Sequence, residues 1–265
     1  MKSIKATLSQ DLTSLEIIPL ADLHLGDKQC DLAKIRSKID YIKNNENVYC
    51  ILNGDIMNNS TKTSIGDIYS EELKPMDQLK LATELFEPIK DKILGVTSGN
   101  HEFRTWKQDG IDLTKLLCNQ LGIEDKYSEA SLLIFLRFGK ENRNRKESNN
   151  KNKIRMIQYT LFVNHGSGGG RKEGAKAIRL ADMASIVDAD IYIHSHTHLP
   201  MVMKQSFYRT DPRNSTFALV PKLFVNTSAF LNYGGYGDAQ EFKPASTDTP
   251  HIYLNGLIKK MQSKL

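Results

Sequence analysis

This chain of 265 residues has little cysteine. Cys30, Cys50 and Cys118 are scattered, too few for a disulfide framework or a Cys-type zinc site, and three reduced thiols are expected. Nor does it contain an apolar run long enough to span a membrane. The start, Met1-Lys2-Ser3-Ile4-Lys5, lacks the apolar core and small-residue cleavage site of a signal peptide, so a cytoplasmic protein with no membrane partner is expected. Strong net charge is missing too: 36 Lys+Arg stand against 31 Asp+Glu, a mild basic excess compatible with a phosphate-bearing substrate that does not demand one. There are no internal repeats. A single domain over residues 1–265 is expected, with a flexible charged loop at about 139–153 where apolar residues nearly vanish.

What the chain does have is a series of short apolar runs that end in polar residues. Val48-Tyr49-Cys50-Ile51-Leu52-Asn53 stops at Gly54-Asp55, and Glu16 to Leu20 runs into Ala21-Asp22-Leu23-His24. Runs of this kind read as buried strands of an α/β domain, whose strand ends are where ligands bind. Leu32, Ile35, Ile39 and Ile42 recur at helical spacing between these two strands, making a strand-helix-strand unit. Further along, Leu73, Leu81, Leu85, Phe86 and Ile89 predict a helix that Pro88 kinks near its end. The strand Lys92–Thr97 then leads to Ser98-Gly99-Asn100-His101-Glu102.

Leu113, Leu116, Leu117 and Leu121 predict the next helix face. Strands Ser131–Phe138 and Ile154–Asn164 follow as a hairpin around the charged loop, the second ending in His165-Gly166. A helix with Ala177, Ile178, Ala181, Ala184 and Val187 on one side leads to the strand Asp190–Ile193, which enters His194-Ser195-His196-Thr197-His198. Thr216–Val220 and Lys222–Val225 look like strand pieces. The pattern predicts an α/β fold with two packed mixed sheets flanked by helices.

Five strand ends thus deliver one class of residue: Asp22 and His24, Asp55, Asn100 and His101, His165, then His196 and His198. Six of the seven histidines lie at or beside them. Carboxylate, imidazole and amide oxygen suit borderline divalent metals, and the absence of cysteine argues against structural zinc. Taken singly, each residue has a plain alternative as a turn or core residue; the joint pattern decides for a metal centre. His194 reads as a core residue or a neighbour of the ligands, and His251 as without a role.

The ordered set Asp22-Leu23-His24, Gly54-Asp55, Gly99-Asn100-His101-Glu102, His165-Gly166 and His196-Thr197-His198 resembles the calcineurin-like metallophosphoesterase superfamily, in a phage or bacterial form. That resemblance implies a four-layer αββα sandwich. It implies one metal held by Asp22, His24, Asp55 and His198 and a second by Asp55, Asn100, His165 and His196, with Asp55 as the bridge. It also places His101 beside the leaving oxygen. Two such cations lower the pKa of bound water and stabilise charge on phosphoryl oxygens. Manganese is the favoured metal, with iron, zinc and nickel as the other candidates. Two departures from the family pattern stand out: Ser195 replaces the usual glycine before His196, and Asn58 and Asn59 occupy the place of an acidic residue after Asp55.

For the substrate, Arg104 could clamp phosphate, Trp106 could stack on a base or simply pack, and Glu102 could orient its neighbours or be solvated. Gly166 to Gly170 with Arg171 and Lys172 reads either as a phosphate-attracting loop or as a tight turn beneath the site. The first expectation is a phosphodiesterase acting on nucleic acid or nucleotides. The alternatives are a phosphomonoesterase, including a protein phosphatase, and a metal-bound nucleic-acid-binding protein with little turnover.

Overall fold

The structure, a computed structural model, describes residues 1–62, 64, 68–141, 155–168 and 170–265. In chain order it forms β1 (Lys2–Thr7), β2 (Ser14–Leu20), α1 (Leu32–Asn44), β3 (Val48–Asn53), α2 (Pro75–Phe86), β4 (Ile93–Thr97), α3 (Glu102–Asp109), α4 (Leu113–Leu121) and β5 (Tyr127–Ser128). Then come β6 (Ser131–Phe138), β7 (Ile157–Asn164), α5 (Glu173–Asp182), β8 (Ile191–His194), β9 (Met201–Asp211), β10 (Thr216–Asn226), α6 (Gly235–Ala239), β11 (His251–Asn255) and β12 (Met261–Lys264).

The strands make two six-stranded sheets, one in the order β1-β6-β7-β8-β10-β9 and the other β12-β11-β2-β3-β4-β5. Both are mixed. β7, β8 and β10 are parallel in the first sheet, and β2, β3, β4 and β5 in the second, with antiparallel strands at the margins.

Burial on both faces explains the near-continuous apolar runs of the parallel strands. Leu15, Ile17, Ile51 and Leu94 of the second sheet pack against Ile134, Leu161, Val163, Ile191, Ile193 and Val225 of the first, forming the layer between sheets. On the outer face of the second sheet, Ile18, Leu20, Cys50, Leu52 and Val96 meet Ile35, Ile39 and Ile42 of α1 and Leu79, Phe86 and Leu117 of α2 and α4. Phe162, Tyr192 and Phe224 cover the outer face of the first sheet together with Leu180 and Met183. The result is the expected αββα order. Truncating a fully buried member such as Leu52 to alanine would cost about 2–5 kcal/mol.

Local chemistry sets the helix ends. Asp31 accepts from Lys34 N at 3.0 Å and starts α1, while Asp112 accepts from Lys115 N at 2.9 Å and starts α4, which closes on Gly122 at φ 69°. Several details differ from the sequence expectation. α2 ends at Phe86, so Pro88 lies in the 3₁₀ turn Glu87–Lys92 and kinks nothing. Ile178 is 62% exposed and Leu116 38%; the apolar contact of α5 is made by Leu180 instead. Thr216–Asn226 is one strand running through Pro221, which falls ahead of the stretch Leu223–Asn226 that pairs with β8, so the missing N–H breaks no bond to β8. Most of the expected charged loop, residues 142–153, lies outside the described residues. Cys30, Cys50 and Cys118 are free thiols. No helix among the described residues is long and apolar enough to cross a membrane.

Candidate metal centre

The parallel strands of each sheet point their carboxyl ends to the same rim, and the polar residues that follow them converge there. β2 is followed by Asp22 and His24, β3 by Asp55, β4 by Asn100 and His101, β7 by His165, and β8 by His196 and His198. Three overlapping triads result: Asp22 with His24 and His198; His24 with Asp55 and His101; Asp55 with His165 and His196. Within each, one ligand atom per residue lies within 4.8 Å of the others. All eight residues of the sequence expectation take part, Asn100 through its Oδ1, 3.2 Å from His165 Nε2.

The backbone is strained at this rim. Asp22, His24, Asp55, Asn59, His196 and His198 have φ between 45° and 66° and supply six of the eight non-glycine residues with positive φ among the described residues. Left-handed backbone costs a non-glycine residue on the order of 1 kcal/mol or more, and such strain gathers at functional sites. Surrounding hydrogen bonds impose it. Leu23 N and His24 N both donate to Asp55 O, at 2.8 and 3.1 Å, and Asp22 N donates to Gly54 O at 3.1 Å. Gly99 permits the closest approach, because a Cβ there would stand 2.1 Å from Asp55 Oδ1.

Each buried carboxylate commits one oxygen to the protein frame. Asp22 Oδ2 accepts from His196 N at 3.1 Å and Thr227 Oγ1 at 3.3 Å; Asp55 Oδ1 accepts from His101 N at 2.9 Å. The other oxygens face imidazole. Asp22 Oδ1 is fully buried with no hydrogen bond and lies 3.2 Å from His198 Nε2, and Asp55 Oδ2 lies 3.2 Å from His165 Nε2 and 3.9 Å from His101 Nε2.

The histidines are held from behind. His165 Nδ1 donates to Asn53 O at 2.7 Å, His24 Nδ1 to Asn58 Oδ1 at 3.2 Å, and His101 Nδ1 to Asn58 O at 2.7 Å. That leaves their Nε2 atoms facing the centre, where His24 Nε2 and His198 Nε2 stand 3.4 Å apart. Lone pairs aimed at lone pairs repel unless a proton or a cation lies between them. The residues therefore fit divalent ions, and outer hydrogen bonds of this kind are the usual company of metal-ligating histidines.

The electrostatics agree. Burial alone would raise Asp55, yet His165 and His101 hold it well below the usual carboxylate range. Burial likewise opposes charge on His165, but the facing Asp55 and then Asp22 push it up to about 10, so in the metal-free protein a proton takes the cation's place. His24, His196 and His101 are all lowered, first of all by burial, which favours their neutral form.

Glu102, whose role the sequence left open, is buried. Its carboxylate accepts from Asp55 N and Gly99 N at 3.0 Å each and from Met57 N at 2.9 Å, tying two of the ligand loops together. Burial and the nearby Asp55 raise it to about 7 against those amide donors. Arg104 does lie beside the centre: Nη2 is 2.9 Å from His101 Nε2, and Nη1 donates to Asn58 O at 3.1 Å. Arg171 and Lys172 are exposed, with the Arg171 guanidinium 5.1 Å from the centre of the Phe242 ring.

Two cations absent from the sequence expectation contact the loops of the centre from α5: Lys176 donates to Thr197 O at 2.8 Å, and Arg179 donates to Ser167 O. Thr227 was missed as well; its signal was the polar triplet Asn226-Thr227-Ser228 closing a sixth apolar strand. His194 is buried away from the triads with Nδ1 bonded to Asn226 Oδ1 at 2.7 Å, and His251 ties β11 to Glu16 and Lys38. Trp106 is 44% exposed on α3.

An αββα sandwich with a carboxylate and imidazole centre at its strand ends defines a class of metal-dependent enzymes. The sequence profile of the calcineurin-like phosphoesterases matches residues 16–200, and this chain belongs to that family. A search of curated proteins returns no match. Among solved structures, a conserved uncharacterized protein of Streptococcus pneumoniae TIGR4, described as a predicted phosphoesterase, is 13% identical over 96% of this chain and 99% of its own, with a TM-score of 0.39.

Proposed function

We propose that this metal-dependent phosphoesterase is a phosphodiesterase that hydrolyses nucleic acid or nucleotide phosphodiester bonds with two bound divalent ions, manganese being favoured. One observation carries the two-ion reading: Asp55 groups with His24 in one triad and with His165 and His196 in another, so that this one carboxylate would serve both ions. In this reading Asp22, His24, Asp55 and His198 would hold one ion, and Asp55, Asn100, His165 and His196 the other. When bound, the ions supply a water acidic enough to attack phosphorus at neutral pH and offset charge on the phosphoryl oxygens.

The remaining steps belong to the chain. Asn100 is exposed and His101 half-buried at the rim, and the Asn58 carbonyl holds His101 Nδ1 so that Nε2 faces the centre. Arg104 occupies that Nε2 in the free protein. A phosphoryl oxygen would draw the guanidinium away, freeing the Nε2 lone pair to take a proton from water and pass it to the departing oxygen. Exposed Arg171 and Lys172 would engage the substrate further out. Arg104 contacts His101 directly, and a single guanidinium beside that group suits the single charge of a diester.

The test is hydrolysis of bis-p-nitrophenyl phosphate and p-nitrophenyl phosphate side by side, using protein stripped of metal and reloaded with Mn²⁺. Preference for the diester is expected. Preference for the monoester would replace this reading with a phosphomonoesterase, and turnover of neither, with DNA bound in a salt-dependent manner, would make it a binding protein.

A further inference from the structure

Ligands of the centre come from both sheets, so its geometry depends on how the sheets are tied at this rim. We propose that Asn53, the last residue of β3, is a positioning residue that locks the loops of His165 and His196, carried by the first sheet, to Asp55 on the second. It would thereby keep His165 and His196 in reach of the same ion as Asp55.

Asn53 is wholly buried, and each of its groups that could bond across the interface does so. Its carbonyl accepts from His165 Nδ1 at 2.7 Å, and its amide Nδ2 donates to Ser195 Oγ at 2.6 Å and to Asn164 O at 3.1 Å. Its Oδ1 accepts from Thr97 Oγ1 at 2.6 Å. Asn164 and Ser195 immediately precede His165 and His196 in the chain. One side chain, two residues before Asp55, therefore grips both first-sheet ligand loops and the end of β4 at once.

A buried amide is unfavourable unless its hydrogen bonds are made, so a fully bonded one at the end of an otherwise apolar strand marks a built connection. The serine at position 195, where the family usually has glycine, supplies the hydroxyl that this amide needs. Asp22 and His24 make no bond to Asn53, so the effect should fall on the half of the centre that includes His165 and His196.

The inference rests on the two-ion reading, and its test reads metal rather than turnover. Metal-free protein would be titrated with Mn²⁺ and followed by electron paramagnetic resonance, which separates an exchange-coupled pair from isolated ions. The wild type should develop the pair signal. Asn53→Ala should hold the first ion and bind the second about 10- to 100-fold more weakly, in line with the loss of outer-shell partners, so isolated-ion spectra persist.

Asn53→Asp keeps the shape and the acceptor for Thr97, and lets the Ser195 hydroxyl turn to donate. It should recover part of the second-ion affinity, and lose it again when combined with Ser195→Ala. Tyr159→Phe serves as a control for stability alone: it removes bonds to Asn255 O at 2.8 Å and Lys260 O at 2.9 Å at the far end of the sandwich, and should load both ions normally. If Asn53→Ala does not fold, Ser195→Ala carries the test, and unchanged second-ion binding there overturns the proposal. A pair signal at wild-type Mn²⁺ levels in folded Asn53→Ala overturns it too. A wild type that takes up no Mn²⁺ would sink the metal-centre reading itself.

Discussion

The two rims of the sandwich both bury aspartate, and they differ in what the aspartate faces. At the carboxyl-end rim, Asp22 and Asp55 keep one oxygen for the frame and turn the other toward imidazole nitrogens. At the amino-end rim, Asp190 is just as buried, but Oδ2 accepts from Thr160 N at 2.8 Å, Thr160 Oγ1 at 2.9 Å and Lys259 Nζ at 2.8 Å. A cleft of about 700 Å³ opens beside it, and there Arg155, Arg209 and Lys259 each face a carboxylate of their own. No residue lining that cleft has the left-handed backbone found at the other rim. A buried acid supplied with its own donors holds the fold together, whereas one left facing imidazoles across strained backbone is arranged for something the chain itself does not provide.

The largest effects should separate the rims outright. Asp55→Ala is expected to lose metal by atomic emission and to lose at least about 10³-fold in diester turnover, since both ions depend on that carboxylate. Asp190→Ala should retain both metal and turnover per folded molecule while unfolding about 1–3 kcal/mol more easily, the penalty of leaving the Thr160 N–H without its acceptor. A metal-free Asp190 variant would break the comparison. Within the functional rim, His101→Ala should keep its metal and lose roughly 10²- to 10⁴-fold in turnover, the range for removing an acid or base. Metal loss in that variant would make His101 a ligand and not a proton donor.

The strand ends and the Asp and His residues that converge there were legible in the sequence, because short apolar runs that stop at Asp or His are local signals. The elements it concealed are ones whose stability is not local. α3 has a single buried residue, Glu102, so it carries no apolar stripe to detect. β1 and β12 are short, partly charged margin strands; Ile4 and Ala6 do alternate with polar neighbours, but over too few residues to stand out. The bonds from Asn53 to Ser195, 142 residues away, and from Thr227 to Asp22, 205 away, exist only once the sheets have packed. Arg171 and Lys172, which follow the His165-Gly166 turn, are exposed to solvent, while Lys176 and Arg179 farther along reach back to the loops of the centre, contacts that no local pattern announces.

A smaller effect tests the charge on the functional rim. His165 is raised to about 10 in the metal-free protein by the facing Asp55, although burial opposes the charge, and it must give up that proton before it can ligate. Below about pH 10, then, metal affinity should climb with pH by up to tenfold per unit from this group alone, and loading at pH 7 should release about one proton. Calorimetry in two buffers of different ionisation enthalpy reads that proton directly. Loading without proton release would show that His165 is neutral, and that the repulsion between its Nε2 and the two oxygens 3.2 Å away is relieved in some other way.

The smallest expected difference concerns the two arginines. Arg104 bonds to His101 and the Asn58 carbonyl beside the reacting groups, so Arg104→Ala should reduce kcat/KM by about 10- to 100-fold, with Arg104→Lys recovering little because a point charge cannot span both partners. Arg171 lies over Phe242 in solvent, where a cation–π contact is worth about 0.5–1 kcal/mol, so Arg171→Ala should change turnover of a small diester by less than about twofold. A larger substrate sharpens the distinction. If Arg171 meets a nucleic-acid backbone beyond the scissile bond, its loss should raise KM for an oligonucleotide but not for bis-p-nitrophenyl phosphate, and that increase should shrink as salt is added. Equal insensitivity with both substrates would confine recognition to the rim residues around Arg104.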